Sequence, residues 1–111
     1  MKYKHLFQPI KIGNTILKNR IEYSPANPLL ATTDNGLMSR EMSEFSKKIA
    51  YGGVGLLNMG EGAINRDLPD NIGNIPQLGH PKNHVGLSLW VDTVKRLGCK
   101  ASFEMVPLGV F

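Results

Sequence analysis

Gly53-Val54-Gly55-Leu56-Leu57-Asn58-Met59 runs apolar without alternation, the pattern of a strand covered on both faces. On its N-terminal side, Ser39 stands where it can cap a helix beginning at Arg40. Met42, Phe45 and Ile49 then recur at helical spacing, with Glu41, Glu44, Lys47 and Lys48 on the other face. Gly52 is the expected left-handed cap of that helix. On the C-terminal side a long connection over residues 60–82, rich in Gly, Pro, Asn and Asp, leads to a second helical face of Leu87, Val91, Val94 and Leu97 that ends at Gly98. Trp90 lies toward a flank of that face, where packing is its expected job. Ala101-Ser102-Phe103-Glu104-Met105-Val106 reads as a further strand, stopped by Pro107.

Nearer the N-terminus, alternating apolar residues flank Gly13-Asn14, a pair in which both residues tolerate positive φ, so residues 7–17 predict a tight hairpin. Ile21-Glu22-Tyr23-Ser24 reads as a short strand ended by Pro25, and Pro25-Ala26-Asn27-Pro28 as the loop leaving its carboxyl end. Turn chemistry follows in Thr32-Thr33-Asp34-Asn35-Gly36. Strands alternating with helices imply right-handed crossovers and a parallel sheet. A doubly wound sheet and a (β/α)8 barrel both fit that pattern. The first βα turn lacks the Gly-rich dinucleotide pattern, and no phosphate-cradling Gly-Lys-Ser/Thr motif occurs, which favours the barrel. The expected fold is thus α/β, a hairpin followed by about three βα units at the N-terminal end of a barrel, with the chain stopping at Phe111 before the rest.

Composition sets the outer bounds. The 111 residues are 41% hydrophobic and 20% charged, suited to one globular unit. Thirteen Lys and Arg against nine Asp and Glu give a net charge of +4, but the basic residues are scattered, so a nucleic-acid partner is not expected. One cysteine, Cys99, excludes an internal disulfide and fits a reducing compartment; it is expected to be a small buried filler. The N-terminus has no apolar stretch long enough for a signal or membrane helix, and the expectations are no membrane partner and a cytoplasmic location.

Leu6-Phe7-Gln8-Pro9-Ile10-Lys11-Ile12-Gly13-Asn14, then Leu17-Lys18-Asn19-Arg20-Ile21 and Ser24-Pro25, closely resembles the opening of the Old Yellow Enzyme, or NADH:flavin oxidoreductase, family. Gly52-Gly53-Val54-Gly55-Leu56-Leu57 and Glu61-Gly62-Ala63 are similar to its second strand and the loop after it. The resemblance implies residues 1–111 of a single FMN-binding barrel domain, with the hairpin closing the bottom and the flavin across the top. It implies contact roles with FMN for Pro25, Ala26, Asn27, Glu61 and Glu104, none of them catalytic. In such enzymes NAD(P)H reduces the flavin, and flavin N5 passes hydride to the β-carbon of an activated alkene, as in ene-reductases and dienoyl-CoA reductases.

This chain departs from the family's pattern in two places. Glu104 stands where the family usually has a Gln that both accepts from and donates to the flavin pyrimidine, and an ionised carboxylate there would face the O2 acceptor. Pro107-Leu108-Gly109-Val110 replaces a common His-x-Gly-Arg, so an Arg that helps hold loop and flavin is missing. The family's substrate-gripping pair, its proton-donating Tyr and its phosphate clamp belong to later strands, so catalysis by these 111 residues alone is not expected. Three strands with two helices leave edges unpaired and an interior face uncovered, so the chain is expected to need the remaining barrel segment or to self-associate. A non-catalytic fragment with assembly as its only activity is the alternative reading. A metal-dependent barrel hydrolase fits poorly, because the histidines stand at position 5 and in the long connection.

Overall fold

The computed structural model describes residues 2–31, 36–64 and 74–107. The predicted turn at Thr32-Thr33-Asp34-Asn35, most of the long connection and the departure at Leu108-Gly109-Val110 lie outside the described residues. The elements run β1 (Ile10–Ile12), β2 (Thr15–Leu17), β3 (Glu22–Tyr23), α1 (Arg40–Tyr51), β4 (Leu56–Ala63), α2 (His84–Arg96) and β5 (Lys100–Val106), with a 3-10 turn at Pro81–Asn83 leading into α2.

β1 and β2 form the expected antiparallel hairpin, Ile12 opposite Thr15. Of the two turn residues only Gly13 takes positive φ, 56°. One left-handed residue is enough to turn the chain while matching strand twist. The remaining strands make one parallel sheet in the order β3-β4-β5, with Glu22 beside Leu56 and Leu57 beside Ala101. Sequential order with crossovers of one hand puts α1 and α2 on the same face, unlike a doubly wound sheet, whose strand order reverses. Side chains confirm it: Leu57 and Met59 of β4 share one buried cluster with Met42 and Ala50 of α1 and Trp90 and Val94 of α2. This is the N-terminal portion of a (β/α)8 barrel.

A polar contact joins the two helices. The Trp90 indole N–H donates to Ser46 Oγ at 2.8 Å, and that hydroxyl donates to the Met42 carbonyl at 2.8 Å. Trp90 also lies against Phe103 with ring centroids 4.9 Å apart, and Tyr23 meets Phe45 edge-on. Trp90 is therefore at the centre of the core rather than on a flank of its helix. Ser39 caps α1 as expected, its Oγ accepting from the Met42 N–H at 3.0 Å. Gly52, by contrast, stays right-handed at φ −63°, and the left-handed residue is Gly53 at φ 100°.

Cys99 is buried, and its thiol donates to the Lys100 carbonyl. Burial pushes the thiol above its ordinary range, against smaller opposing effects of the Lys18 ammonium and the Leu57 backbone. A thiol reagent at about pH 8 should thus react slowly with native protein and fully in denaturant. Rapid labelling of native protein would show that the filler role is wrong. Because the folded value is raised, the unfolded chain loses its thiol proton first, so this group's contribution to stability falls as pH rises through the unfolded value.

Candidate functional site

In a barrel of this kind the strands' carboxyl ends carry the chemistry. β4 runs farther than its apolar stretch predicts. It continues through Gly60-Glu61-Gly62 to Ala63, so Gly60, Glu61 and Gly62 belong to the strand and not to the connection. The continuation contains a bulge, since Asn58 lies beside Ser102 but Glu61 lies beside Glu104, three residues of β4 against two of β5. Gly60 makes it possible at φ 89°, and Asn58 Oδ1 accepts from the Gly60 N–H at 3.1 Å. The bulge returns Glu61 to the face that carries Asn58, so Glu61 and Glu104 stand in register on adjacent strands on the face turned away from the helices. Parallel neighbours are about 4.8 Å apart.

Beside Gly60 lies the loop that leaves β3. A Cβ at Gly60 would sit 3.0 Å from the Asn27 N and 3.3 Å from the Ala26 N, so only glycine lets the loop backbone rest there. Pro25 and Ala26 are exposed and Asn27 is half-buried. Asn27 Oδ1 accepts from the Leu29 N–H at 2.9 Å, an Asx turn that holds Leu29 at φ 55°. The other end of that amide is the notable feature: Asn27 Nδ2 is buried and has no hydrogen-bond partner. Ser102 Oγ, beside Asn58, is in the same condition. Unpaired buried donors cost about 1–3 kcal/mol each, so each calls for an explanation.

Of the five residues singled out in sequence, Ala26 and Asn27 lie against Gly60, which precedes Glu61, and Glu61 stands beside Glu104, while Pro25 begins the same loop. The histidines stand apart. His80 Nδ1 accepts from the Lys82 N–H at 3.1 Å, and His84 is the exposed first residue of α2. Ser102, Gln77 and Asn83 were missed. Asn83 carried one signal, an Asn just before a helix, but its role is not a cap: it makes no side-chain capping bond to α2. The opposite end of the sheet holds a cavity of about 120 Å³ between the hairpin and the strand beginnings, with Ile10, Ile12 and Leu17 on one side and Glu22 and Leu56 on the other. It lies at the end of the sheet where the strands begin, away from the mouth. Among the described residues no helix is long and apolar enough to cross a membrane.

Known proteins share the fold. The chain is 34% identical over 107 residues to a metal reductase of Desulforamulus reducens, covering 94% of this chain and 15% of that protein. A 2-naphthoyl-CoA reductase in complex with 2-naphthoyl-CoA superposes with a TM-score of 0.84 at 24% identity, over 96% of this chain and 16% of that one. An Old Yellow Enzyme from Pichia sp. AKU4542 superposes at 0.80 with 23% identity, over 95% and 27%. The chain thus spans about 15% of the length of the curated relatives it matches. The model of the NADH:flavin oxidoreductase / NADH oxidase family matches residues 5–110. That family's cofactor is FMN, with NAD(P)H as reductant. With that match covering nearly the whole chain, this chain belongs to the NADH:flavin oxidoreductase / NADH oxidase family.

Proposed function

We propose that this chain forms the flavin-facing start of an FMN-dependent oxidoreductase that passes hydride from NAD(P)H to an activated alkene. The single observation that carries the reading is Asn27, a buried amide donor left without an acceptor at the mouth of the barrel. The polar edge of an isoalloxazine presents acceptors on either side of one N–H donor, so it would satisfy an unpaired donor and needs a nearby acceptor in return. The mouth supplies both kinds of group. Asn27 Nδ2 would donate to a ring acceptor, and Glu61 or Glu104 would accept the ring N–H. Pro25 and Ala26 would line the approach. When bound, FMN supplies the hydride chemistry, and the residues of this chain hold and orient it.

The substrate class rests on a likeness. The 2-naphthoyl-CoA of the superposed reductase carries unsaturation conjugated to a thioester, and an activated alkene has the same electronic character. The relative called a metal reductase points to a second electron acceptor, which the reading does not require. The groups that grip and protonate the substrate are expected from the rest of the barrel, and residues 1–111 are proposed to be part of one FMN-binding domain. We place the protein in the cytoplasm, for which the single buried cysteine is the support.

Replacing the donor tests the reading. Asn27→Leu removes it without adding a charge, and FMN affinity, followed by quenching of flavin fluorescence, should fall about tenfold, the worth of one well-made hydrogen bond. Unchanged affinity would refute the Asn27 contact. A specific observation also favours assembly as a second activity. The outer edge of β5 pairs with no strand among the described residues, so the rest of a barrel or a second copy has a template to add to.

A further inference from the structure

Asn83 is buried to 1% exposure and uses both ends of its amide. Its Oδ1 accepts from the Met38 N–H at 2.8 Å, while Nδ2 donates to the Gly36 carbonyl at 3.2 Å and to the Gln77 carbonyl at 3.0 Å. These partners come from two different connections. Gly36 and Met38 belong to the one between β3 and α1, and Gln77 to the one between β4 and α2. The two are tied to each other as well, because the Gln77 N–H donates to the Gly36 carbonyl at 2.9 Å and the Ala31 N–H to the Asn74 carbonyl at 3.1 Å.

The clasp reaches the mouth by two routes. Gln77 makes a parallel bridge to Ala63, with the Ala63 N–H on the Pro76 carbonyl at 2.8 Å and the Leu78 N–H on the Ala63 carbonyl at 2.7 Å. Ala63 is two residues beyond Glu61 on β4. On the other side, Met38 precedes Ser39, whose hydroxyl donates to the Leu30 carbonyl just past the Asn27 turn. An amide is suited to the position, since it alone offers an acceptor and two donors in one small neutral group.

We infer that Asn83 is a positioning residue: it holds the loop of Asn27 and the strand end of Glu61 at a fixed separation, so that both meet one ligand. The inference rests on the flavin reading for the identity of that ligand, but the clasp itself can be examined without flavin. Amide hydrogen exchange resolved by residue would be measured in the unsubstituted protein, in Asn83→Leu and in Asn83→Asp. In Asn83→Leu, exchange at Met38 and Gln77 should quicken at least about tenfold, while Lys100, whose N–H is bonded to the Gly55 carbonyl within the sheet, should not change. Asn83→Asp keeps the acceptor and loses both amide donors, so Met38 should stay protected while Gln77 loosens. If Asn83→Leu proves too unstable to purify, this graded pattern in Asn83→Asp still decides the matter. FMN titration then reads the consequence. Affinity should fall about tenfold in Asn83→Leu and less in Asn83→Asp, with a shifted absorption band of the bound flavin.

Unaltered exchange at Met38 and Gln77 in both variants would overturn the clasp. Quickened exchange with unchanged FMN affinity and an unchanged flavin spectrum would overturn the positioning role and leave a loop tie only. Failure of the unsubstituted protein to bind FMN would overturn the flavin reading instead, and exchange alone would then judge the clasp.

Discussion

Trp90→Ala should remove about 3–5 kcal/mol of stability, the largest loss expected from any single substitution in this chain. Three things go at once. The indole is 2% exposed at the centre of the cluster that joins both helices to the sheet, so its removal leaves a cavity that β4 and β5 cannot close. The Phe103 ring loses its partner at 4.9 Å. Ser46 loses the donor that fills its second lone pair, inside a helix where the hydroxyl is fully buried. Trp90→Phe separates these terms, because it keeps most of the apolar contact and removes only the N–H and part of the ring. Its loss should be clearly smaller, about 1–3 kcal/mol. Denaturant unfolding followed by circular dichroism measures both. Equal losses would show that the Trp90 to Ser46 bond, and not the packing, holds the helices together.

Ser46 also shows where sequence reasoning stops. The helix stripe was legible from Met42, Phe45 and Ile49, yet the deepest line is Met42, Ser46 and Ala50, with Phe45 and Ile49 only half-buried beside it. A serine in that line reads as polar until its partner, Trp90, is known, and that partner lies 44 residues away. The same limit applies to β4. Its apolar core at Leu56 and Leu57 was plain, but Gly60-Glu61-Gly62 has the composition of a loop. Those residues extend as strand because β5 runs alongside on one edge and Gln77 bridges to Ala63 on the other. Hairpin and capping serine rest on contacts close in sequence, and the parallel sheet on the alternation of strands and helices, so these were readable. Bulge, clasp and core centre rest on contacts between distant segments.

The site divides along the same line. Asn27, Glu61 and Glu104 are expected at the flavin because they fall within segments resembling the family, at or near the carboxyl ends of strands. That Glu61 and Glu104 share a register follows only from the bulge, since without the extra residue in β4 the pairing beyond Asn58 would turn Glu61 to the helix side. Their shared placement gives the mouth two acceptor side chains where the family's usual Gln offers one acceptor and one donor. Donor contacts then fall to Asn27 Nδ2 and Ser102 Oγ, the two buried donors left unpaired among the described residues.

Gly60 controls all of this, and its substitution is the second large effect. Gly60→Ala should lower stability by about 1–3 kcal/mol through backbone strain at φ 89°. The new methyl group would also stand 3.0 Å from the Asn27 N, against backbone that can yield only by moving the whole loop. The strain and the displacement can be told apart, because Gly53 has a similar φ of 100° and nothing within 4 Å of a Cβ. Gly53→Ala should therefore show the strain alone, with FMN affinity kept. Gly60→Ala should show a comparable loss of stability together with a fall in FMN affinity larger than the tenfold expected of Asn27→Leu, since it moves Asn27 and turns Glu61 in one step. Unfolding curves and flavin titrations on the two variants make the comparison. If both bind FMN like the unsubstituted protein, the mouth built by the bulge is not where the cofactor sits. If both lose affinity equally, strain spread through the sheet accounts for the effect, and the close approach of loop and strand at Gly60 has no special part in it.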